Sequence, residues 1–234
     1  MNDFMDAFAA AFGLILGLDE YLIEIIALSL SVSATAVFVA GFLGLPLGTI
    51  LATVKFPGRT AFVVFFNSLM GLPPVVVGLV VYLLLSRSGP FGTLGLLFSP
   101  TSMIIAQVIL ILPIMVALIR QVMDEIWREY AEYFNSIGST GWQNTKTLLW
   151  DGRFKVTTAV LAGFGRASAE VGAVMIVGGN IDHITRVMTT AIALETSKGN
   201  LALALGLGII LLTLAVIINI CVFVINNWAE SHYE

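Results

Sequence analysis

The stretch from Ile25 to Val54, IIALSLSVSATAVFVAGFLGLPLGTILATV, decides the fold class because it contains no charged residue. A helix that crosses the roughly 30 Å hydrocarbon core of a bilayer needs about 20 apolar residues, and this stretch is longer. Three further long runs also lack charge, and a fourth is interrupted only by Arg166 and Glu170. The sequence therefore predicts an all-α polytopic membrane protein with five transmembrane helices, at about 22–54, 60–86, 100–120, 156–178 and 201–227.

The composition agrees with this class. Hydrophobic residues make up 58% of the chain, charged residues 11%, and the mean hydropathy is +0.98, values that do not suit a soluble domain of 234 residues. The net charge of −4 is spread over the connections between spans and gives no reason to expect a nucleic-acid partner. We therefore expect residues 21–228 to form a single transmembrane domain in a cell membrane.

The sequence contains no motif of a catalytic site. It has no P-loop to hold ATP, no nucleophile elbow and no dinucleotide-binding pattern. His183 and His232 are far apart and Cys221 is the only cysteine, so neither a metal site nor a disulfide is predicted. We expect a membrane subunit that is not an enzyme by itself and holds no cofactor of its own.

The N-terminal residues 1–20 predict a helix that lies on the membrane surface. The apolar run that begins at Phe4 is too short to span, and Asp3 and Asp6 stand where a signal peptide would carry basic residues. An extension of the first span is the alternative.

The distribution of Lys and Arg predicts the orientation. Cytoplasmic connections carry an excess of these residues, and two connections on one side of the predicted spans hold seven of them, against three on the other side. The seven are Lys55, Arg59, Arg120, Arg128, Lys146, Arg153 and Lys155; the three are Arg87, Arg186 and Lys198. With five spans, the N-terminus then lies outside, and the connection at about 124–153 and the C-terminal tail at 229–234 lie in the cytoplasm.

The second predicted span contains two adjacent prolines, in the sequence LPPVVVG at 72–78. Pro73 and Pro74 remove two backbone donors and disfavour helix at the preceding residue, so we expect a kink near Leu72. Broken helices are tolerated in membranes where the freed carbonyls face protein or water. This predicts that Pro73, Pro74, Val75 and Gly78 line a pathway or gate; a kink that only improves packing is the alternative.

Arg166 and Glu170 are charged residues inside the fourth predicted span. An ionised side chain near the bilayer centre costs about 2.5–3.5 kcal/mol on insertion scales, so we expect the two to be paired. Their i, i+4 spacing places them on one face of a continuous helix. Either the pair is structural, or it takes part directly in a pathway or gate.

The outer connection from Asn180 to Gly199 predicts a short amphipathic helix. Apolar residues recur there at helical spacing, with charged residues at the ends. They are Ile184, Val187, Met188, Ala191 and Ile192. A helix at the outer interface would form a docking surface for an extracytoplasmic partner or a lid over a pathway.

The polar stretch EYFNSIG at 132–138, followed by STGW at 139–142, predicts a docking segment for a soluble partner. A Glu, a turn of small residues six positions later and an amphipathic run after it suit a short helix that projects from the membrane domain. The residues expected to contact the partner are Glu129, Glu132, Tyr133, Ser136, Gly138, Ser139, Thr140, Gly141 and Trp142. A side chain at Gly138 is expected to crowd the turn.

This docking segment resembles the EAA loop of ABC importer permeases, which couples the membrane subunit to its ATPase. Tyr133 and Phe134 replace the two alanines of the family pattern, and LLWD at 148–151 replaces its distal motif with proline. The segments MGLPPVVVG (70–78), YLLLSRSGP (82–90), GFGRASAEVGA (163–173), VGGN (177–180) and TTAIALETSKG (189–199) resemble permeases of oxyanion importers. The likeness runs through about 25–225, and AEVGA at 169–173 favours the tungstate-specific branch over the molybdate branch.

The resemblance implies the assembly and adds two pathway candidates. Two copies of the permease would pair with two ATPase subunits, which bind the ATP and magnesium, and with an extracytoplasmic oxyanion-binding protein. The substrate would be tungstate or molybdate, moved by alternating access. Gly172 and Asn180 join Arg166 and Glu170 as pathway or gate candidates.

Two other function classes remain possible on the sequence. A secondary transporter would need no ATPase and would usually contain internal repeats, and none is evident. A membrane scaffold would transport nothing, and the buried charges and double proline would then lower its stability without a benefit.

Overall fold

The computed structural model describes the backbone of residues 2–17 and 19–233, and the side chains of residues 8, 9, 11–17, 19–134, 136–140, 143–225 and 227. Within this part of the chain every regular element is helical. In chain order the helices are α1 (Asn2–Leu16), α2 (Glu20–Thr53), α3 (Arg59–Leu69), α4 (Pro74–Leu85), α5 (Pro100–Ser136), α6 (Gly141–Asp151), α7 (Arg153–Ser168), α8 (Gly172–Gly178), α9 (Met188–Lys198) and α10 (Leu201–Tyr233), with a 3₁₀ turn at Gly92–Leu94.

Three of these helices, α2, α5 and α10, are long and apolar enough to cross a bilayer. Two bent pairs, α3 with α4 and α7 with α8, bring the number to five if each pair counts as one span. The prediction of an all-helical membrane protein is confirmed. The number of spans among the described residues is three, or up to five.

The double proline lies between α3 and α4, which are bent by 100° from each other. Pro74 is the first residue of α4, where a missing N–H is not needed, and the Pro73 carbonyl accepts hydrogen bonds from the Val76 and Val77 amides at 3.0 and 3.2 Å. The predicted kink near Leu72 is confirmed. It separates two helices instead of bending one.

The fourth predicted span is also broken, which the sequence analysis missed. α7 ends at Ser168, α8 begins at Gly172, and the two are bent by 59°. Glu170 therefore lies in the break, and the prediction that it shares one continuous helix face with Arg166 is wrong. The break is stabilised by side chains from other helices, described below, which a local pattern cannot reveal.

The predicted outer helix is displaced toward the C-terminus. α9 begins at Met188, so Ile184 and Val187 precede it, and Ile184 is half exposed. Met188, Ala191 and Glu195 are buried, whereas Ala193 and Ser197 are exposed, so α9 has one packed side and one exposed side. Its place at the outer interface stays a prediction. The buried residues Met188 and Ala191 pack against α2 and α10.

The chain divides into two compact units that alternate along the sequence. The first comprises Met1–Ala36, Pro73–Gln107 and Gly165–Asn219, and the second comprises Val37–Leu72, Val108–Phe164 and Ile220–Glu234. The core of the first unit joins α2, α9 and α10 through Leu22, Ile25, Met188, Ala191, Leu203 and Leu207. α1 packs there as well, through Leu14; whether it lies at the membrane surface stays a prediction.

The second unit is held by close packing of α2 on α5. A Cβ added to Gly44 would lie 3.0 Å from Met115 Cβ, and one added to Gly48 would lie 2.9 Å from Ile119 Cβ. The spacing Gly-x-x-x-Gly allows two membrane helices to approach closely, because association in lipid depends on van der Waals packing.

The end of α2 is fixed by a side chain of the same unit. Arg59 Nε donates to the Leu51 carbonyl at 2.7 Å, and its Nη2 donates to the Ala52 carbonyl at 3.4 Å. The positive charge of Arg59 also interacts favourably with the negative end of the helix dipole. The same guanidinium lies 3.5 Å from Asp124 on α5, so the connection after α2 is anchored to α5.

Candidate functional site

Three of the predicted gate residues lie together where α4 packs on α8. A Cβ added to Gly78 would lie 2.8 Å from Ala173 Cα, and one added to Gly172 would lie 3.0 Å from a methyl group of Val75. Gly78 is buried and Val75 is exposed. Glycine is the only residue that permits this distance between the two short helices, and Pro73 and Pro74 begin α4 at the same contact.

Arg166 and Glu170 form the predicted ion pair. Arg166 Nη1 lies 2.7 Å from Glu170 Oε2, with the Glu170 side chain 4% exposed and that of Arg166 39% exposed. The carboxylate is thus buried, whereas its partner reaches a surface. The pairing is confirmed; a role in the anion path stays a prediction.

The Glu170 side chain also caps the start of α8. Its Oε1 accepts a hydrogen bond from the Ala173 amide at 3.2 Å, which satisfies one of the free N–H groups at the helix start. A negative charge there is favoured by the helix dipole. The Glu170 backbone carbonyl accepts from Thr189 Oγ1 on α9 at 2.8 Å. Glu170 therefore has an evident structural role: it connects α7, α8 and α9.

The end of α7 is satisfied by a residue of α5. Gln107 Nε2 donates to the Ala167 carbonyl at 3.2 Å, and the Glu170 amide donates to the same carbonyl at 3.1 Å. Broken membrane helices persist where neighbouring side chains satisfy the freed backbone groups, and this break meets that condition.

Polar side chains around the break line a small cavity of the first unit, which we call the polar cavity. Its polar lining residues are Ser29, Ser33, Gln107, Ser168, Glu170 and Thr189. The cavity has a volume of about 10 Å³, counted as the space that the centre of a water molecule can occupy, so it has room for about one water molecule. A tetrahedral oxyanion is much larger, so this conformation has no room for one there.

Asn180 lies just after α8, apart from the residues of the polar cavity. Its φ is +49°, and its side-chain nitrogen lies 3.4 Å from the Thr190 carbonyl on α9. Asn is among the residues that tolerate a left-handed conformation. The structure thus gives Asn180 a role in the turn between α8 and α9, and it does not bring it to Gly78 or Arg166 in any described contact.

The predicted docking segment consists of the last turns of α5, a turn and α6. Glu129, Glu132, Tyr133 and Ser136 lie on α5, which continues well past the predicted end of the span at about 120, and all four are exposed. Ser139 and Thr140 lie in the turn and Gly141 is the first residue of α6; the side chain of Trp142 lies outside the described residues. The segment is therefore an exposed helix–turn–helix, and its role in docking stays a prediction.

Gly138 ends α5 in a way that the sequence analysis explained wrongly. A Cβ at Gly138 meets nothing within 4 Å, so crowding does not exclude a side chain. Its φ of +63° does, because a non-glycine residue there is strained by roughly 1–2 kcal/mol. The Ser139 amide donates to the Phe134 carbonyl at 3.2 Å, which is the 6→1 hydrogen bond of a Schellman motif with glycine at C′.

Aromatic packing fixes the direction in which this segment projects. The Phe134 side chain is 4% exposed and stacks on Trp127 and Tyr130, with ring centroids 5.9 and 5.8 Å away. Tyr133 and Ile137 beside it are 60% and 58% exposed. The segment thus has a rigid inner side and an exposed apolar outer side, which a soluble partner would cover.

Gln107, Ser29 and Thr189 were not among the residues predicted from the sequence. Gln107 stood out as an amide inside an otherwise apolar run, and in a membrane span such a residue needs a partner. Arg120 of the second unit was counted only for orientation. Its Nε is buried and has no hydrogen-bond partner among the described residues.

Several charged side chains lie close together where the start of α2 meets the connection at 180–187. Arg186 Nη1 lies 2.7 Å from Asp182 Oδ1, and His183 Nδ1 lies 2.7 Å from Glu24 Oε2. The hydrogen bond from the Tyr21 hydroxyl holds the pKa of Asp182 below its usual value. The hydrogen bond to Glu24 raises the pKa of the exposed His183. The contacts of Tyr21 with Asp182 and of Glu24 with His183 fasten the connection to α2.

Comparison with known proteins adds a family and named relatives. Residues 44–233 match the family described as "Binding-protein-dependent transport system inner membrane component". A "Probable anion ABC transporter permease protein" of Haloferax volcanii is 41% identical over 85% of this chain and 88% of its own length.

Two further relatives carry a more specific name. A "Tungstate uptake system permease protein TupB" of Peptoclostridium acidaminophilum is 37% identical over 95% of this chain and 98% of its own length. A protein of the same name from Campylobacter jejuni is 36% identical, over 92% of this chain and 90% of its own length. The similarity therefore covers both units of the structure.

Proposed function

Because the chain belongs to the family of binding-protein-dependent transport system inner membrane components, we propose that it is the permease subunit of an ATP-driven oxyanion importer whose substrate is tungstate. It is a multi-pass integral protein of the plasma membrane. The observation that carries the proposal is the exposed helix–turn–helix at 129–151, which lies inside the region matched by the family.

Tungstate is favoured by two relatives of that specificity that align with more than nine-tenths of this chain. A broader anion importer, with molybdate among its substrates, is the second candidate. The relative with 41% identity favours it, since its name specifies only an anion. Selection among oxyanions would belong to the binding protein, so the permease needs only a weakly selective path.

The assembly that we propose has two copies of this chain, two ATPase subunits and an extracytoplasmic binding protein. Up to five spans enclose a gated path poorly, and a twofold dimer would double them. ATP and magnesium would bind to the ATPase, while this chain supplies the exposed residues around Gly138. Five spans with an outer N-terminus would place that segment in the cytoplasm, in agreement with its excess of Lys and Arg.

The two broken helices suit alternating access. α3 meets α4 at 100° and α7 meets α8 at 59°, so each pair is a joint at which a span can change angle. Closure of the ATPase pair would push on α6 and the end of α5. Arg166, with its partly exposed guanidinium, is the charged group at the second joint that a passing oxyanion would meet.

The test is the cellular content of tungsten and molybdenum, measured by elemental mass spectrometry at trace supply of both oxyanions. A strain that lacks this chain is compared with the same strain complemented by the wild-type chain and by Gly138→Ala. Loss of tungsten alone on deletion supports a tungstate importer, and loss of both metals supports the broader anion importer. Unchanged contents of both would refute the proposal.

A further inference from the structure

Two buried oxygen atoms of the polar cavity have no hydrogen-bond partner among the described residues. One is Gln107 Oε1, in a residue that is only 3% exposed, and the other is Ser168 Oγ. Both residues line the same cavity. The Gln107 side chain is held in place by its Nε2, which donates to the Ala167 carbonyl, so its oxygen cannot turn away freely.

Leaving such atoms unpaired is unfavourable. A buried polar group without a partner costs roughly 1–3 kcal/mol, and lipid cannot supply the missing hydrogen bond. Native structures pair the great majority of such groups, with ordered water where protein atoms do not reach. The two atoms therefore indicate an occupant in the cavity that both residues line.

The size and the donor set of the cavity identify the occupant. The room of about 10 Å³ fits one water molecule. Gln107 Oε1 needs a hydrogen-bond donor, whereas the Ser168 hydroxyl can donate. The Ser29 hydroxyl oxygen accepts a hydrogen bond from the Met188 amide at 2.6 Å, so its own O–H remains available as a donor. Water both donates and accepts, but a cation cannot accept these protons, and an anion would lie against the buried Glu170 carboxylate.

We infer that the polar cavity is a binding site for one ordered water molecule, held by Gln107 and Ser168, that completes the hydrogen bonding at the α7–α8 break. This inference goes beyond the transport proposal and does not depend on the substrate. It assigns the water a structural role, because the joint otherwise contains two unpaired oxygens.

The first test is thermal unfolding of the purified protein in lipid nanodiscs, with the sign of one substitution as the readout. If water is bound, Ser168→Ala removes a hydrogen bond, and the apparent Tm falls by about 1–6 °C. If the cavity is dry, the same change removes an unpaired hydroxyl, and the Tm stays equal or rises. Ser31→Ala is the control, since that exposed hydroxyl bonds to the Leu28 carbonyl of its own helix; its Tm should not change.

A double substitution and a direct observation complete the test. With Gln107→Leu already present, the water has lost one of its two partners. Adding Ser168→Ala should then lower the Tm by less than Ser168→Ala does in the wild-type protein. An equal loss of Tm in both backgrounds would overturn the inference that one water joins the two residues. Independently of any variant, a map of the wild-type protein at high resolution should contain a peak within hydrogen-bond distance of both oxygens. No peak, or a wild-type Tm that falls when potassium replaces sodium in the buffer, would overturn the assignment to water.

Discussion

Replacement of Gly78 by alanine tests the contact between α4 and α8. The added Cβ would lie 2.8 Å from Ala173 Cα and 3.2 Å from the Ala173 carbonyl oxygen. Two carbon atoms prefer a separation of about 3.5–4.0 Å, so the helices must move apart by roughly 0.7–1.2 Å. Overpacking of this kind costs about 1–3 kcal/mol.

The matched control is Gly165→Ala in α7, where an added Cβ meets nothing within 4 Å. Both variants gain the helix propensity of alanine, so that their difference isolates the clash. For a chain of this size, 1 kcal/mol shifts the Tm by about 2–4 °C. We expect the apparent Tm of Gly78→Ala in nanodiscs to lie about 2–12 °C below that of Gly165→Ala.

A second variant separates backbone contact from side-chain contact. The atoms nearest to the new methyl group belong to the Ala173 backbone, so Ala173→Gly should not rescue Gly78→Ala. Full rescue, or equal Tm values for the two alanine variants, would refute the reasoning that the backbones of α4 and α8 are in direct contact.

Three further outcomes follow from the site. Gly138→Ala should reduce uptake and lower the Tm by only a few degrees, since φ at 138 is +63° and the strain in a non-glycine residue there is small. Gly138→Asn should retain more uptake, because asparagine tolerates that φ. Equal uptake by the two variants would contradict the turn conformation as the cause. Arg166→Gln should destabilise the protein by about 1–3 kcal/mol, because the buried Glu170 carboxylate loses its ion-pair partner but keeps the hydrogen bond from the Ala173 amide. Glu170→Gln keeps an acceptor for α8 and leaves a partly exposed cation, so its loss of stability should be smaller. The reverse order of Tm values would contradict this assignment. Glu24 raises the pKa of His183, so the stabilising effect of this pair is fully present below the pKa of the unfolded state and is lost as the pH rises through the raised pKa of the folded state. The Tm difference between wild type and Glu24→Gln should therefore shrink from about pH 6 to about pH 8.5. A difference that stays constant over this range would exclude the pair.

Features with a local cause were legible in the sequence. The double proline removes backbone donors wherever it lies, so the break after α3, where α4 starts anew at Pro74, was expected. The pairing of Arg166 with Glu170 was also expected, because they are four positions apart and a lone buried charge is costly.

Features with a tertiary cause were not legible. The break between Ser168 and Gly172 contains no proline; it persists because Gln107 from α5 and Thr189 from α9 satisfy its backbone carbonyls. No local pattern shows which distant residues will supply such bonds. The start of α9 was misplaced for a similar reason, since its apolar residues Met188 and Ala191 pack against α2 and α10.

The space around Gly138 illustrates a different limit. The residue type suggested that a side chain would not fit, but the surroundings of the Cβ are open and the backbone angle is the constraint. A glycine in a sequence has several possible causes, and only coordinates separate them.

The broken helix between α7 and α8 has an evolutionary consequence. Its backbone carbonyls accept hydrogen bonds from Gln107 and Thr189, and Ser29 accepts the Met188 amide beside them. The water that we infer in the same cavity would add Ser168, so that four positions from α2, α5, α7 and α9 would form one hydrogen-bonding unit. A change at one of them alone strands a donor or an acceptor, whereas a joint change to apolar residues with a continuous helix does not. Among related permeases, these positions should therefore covary as a group, in step with the presence or absence of the break.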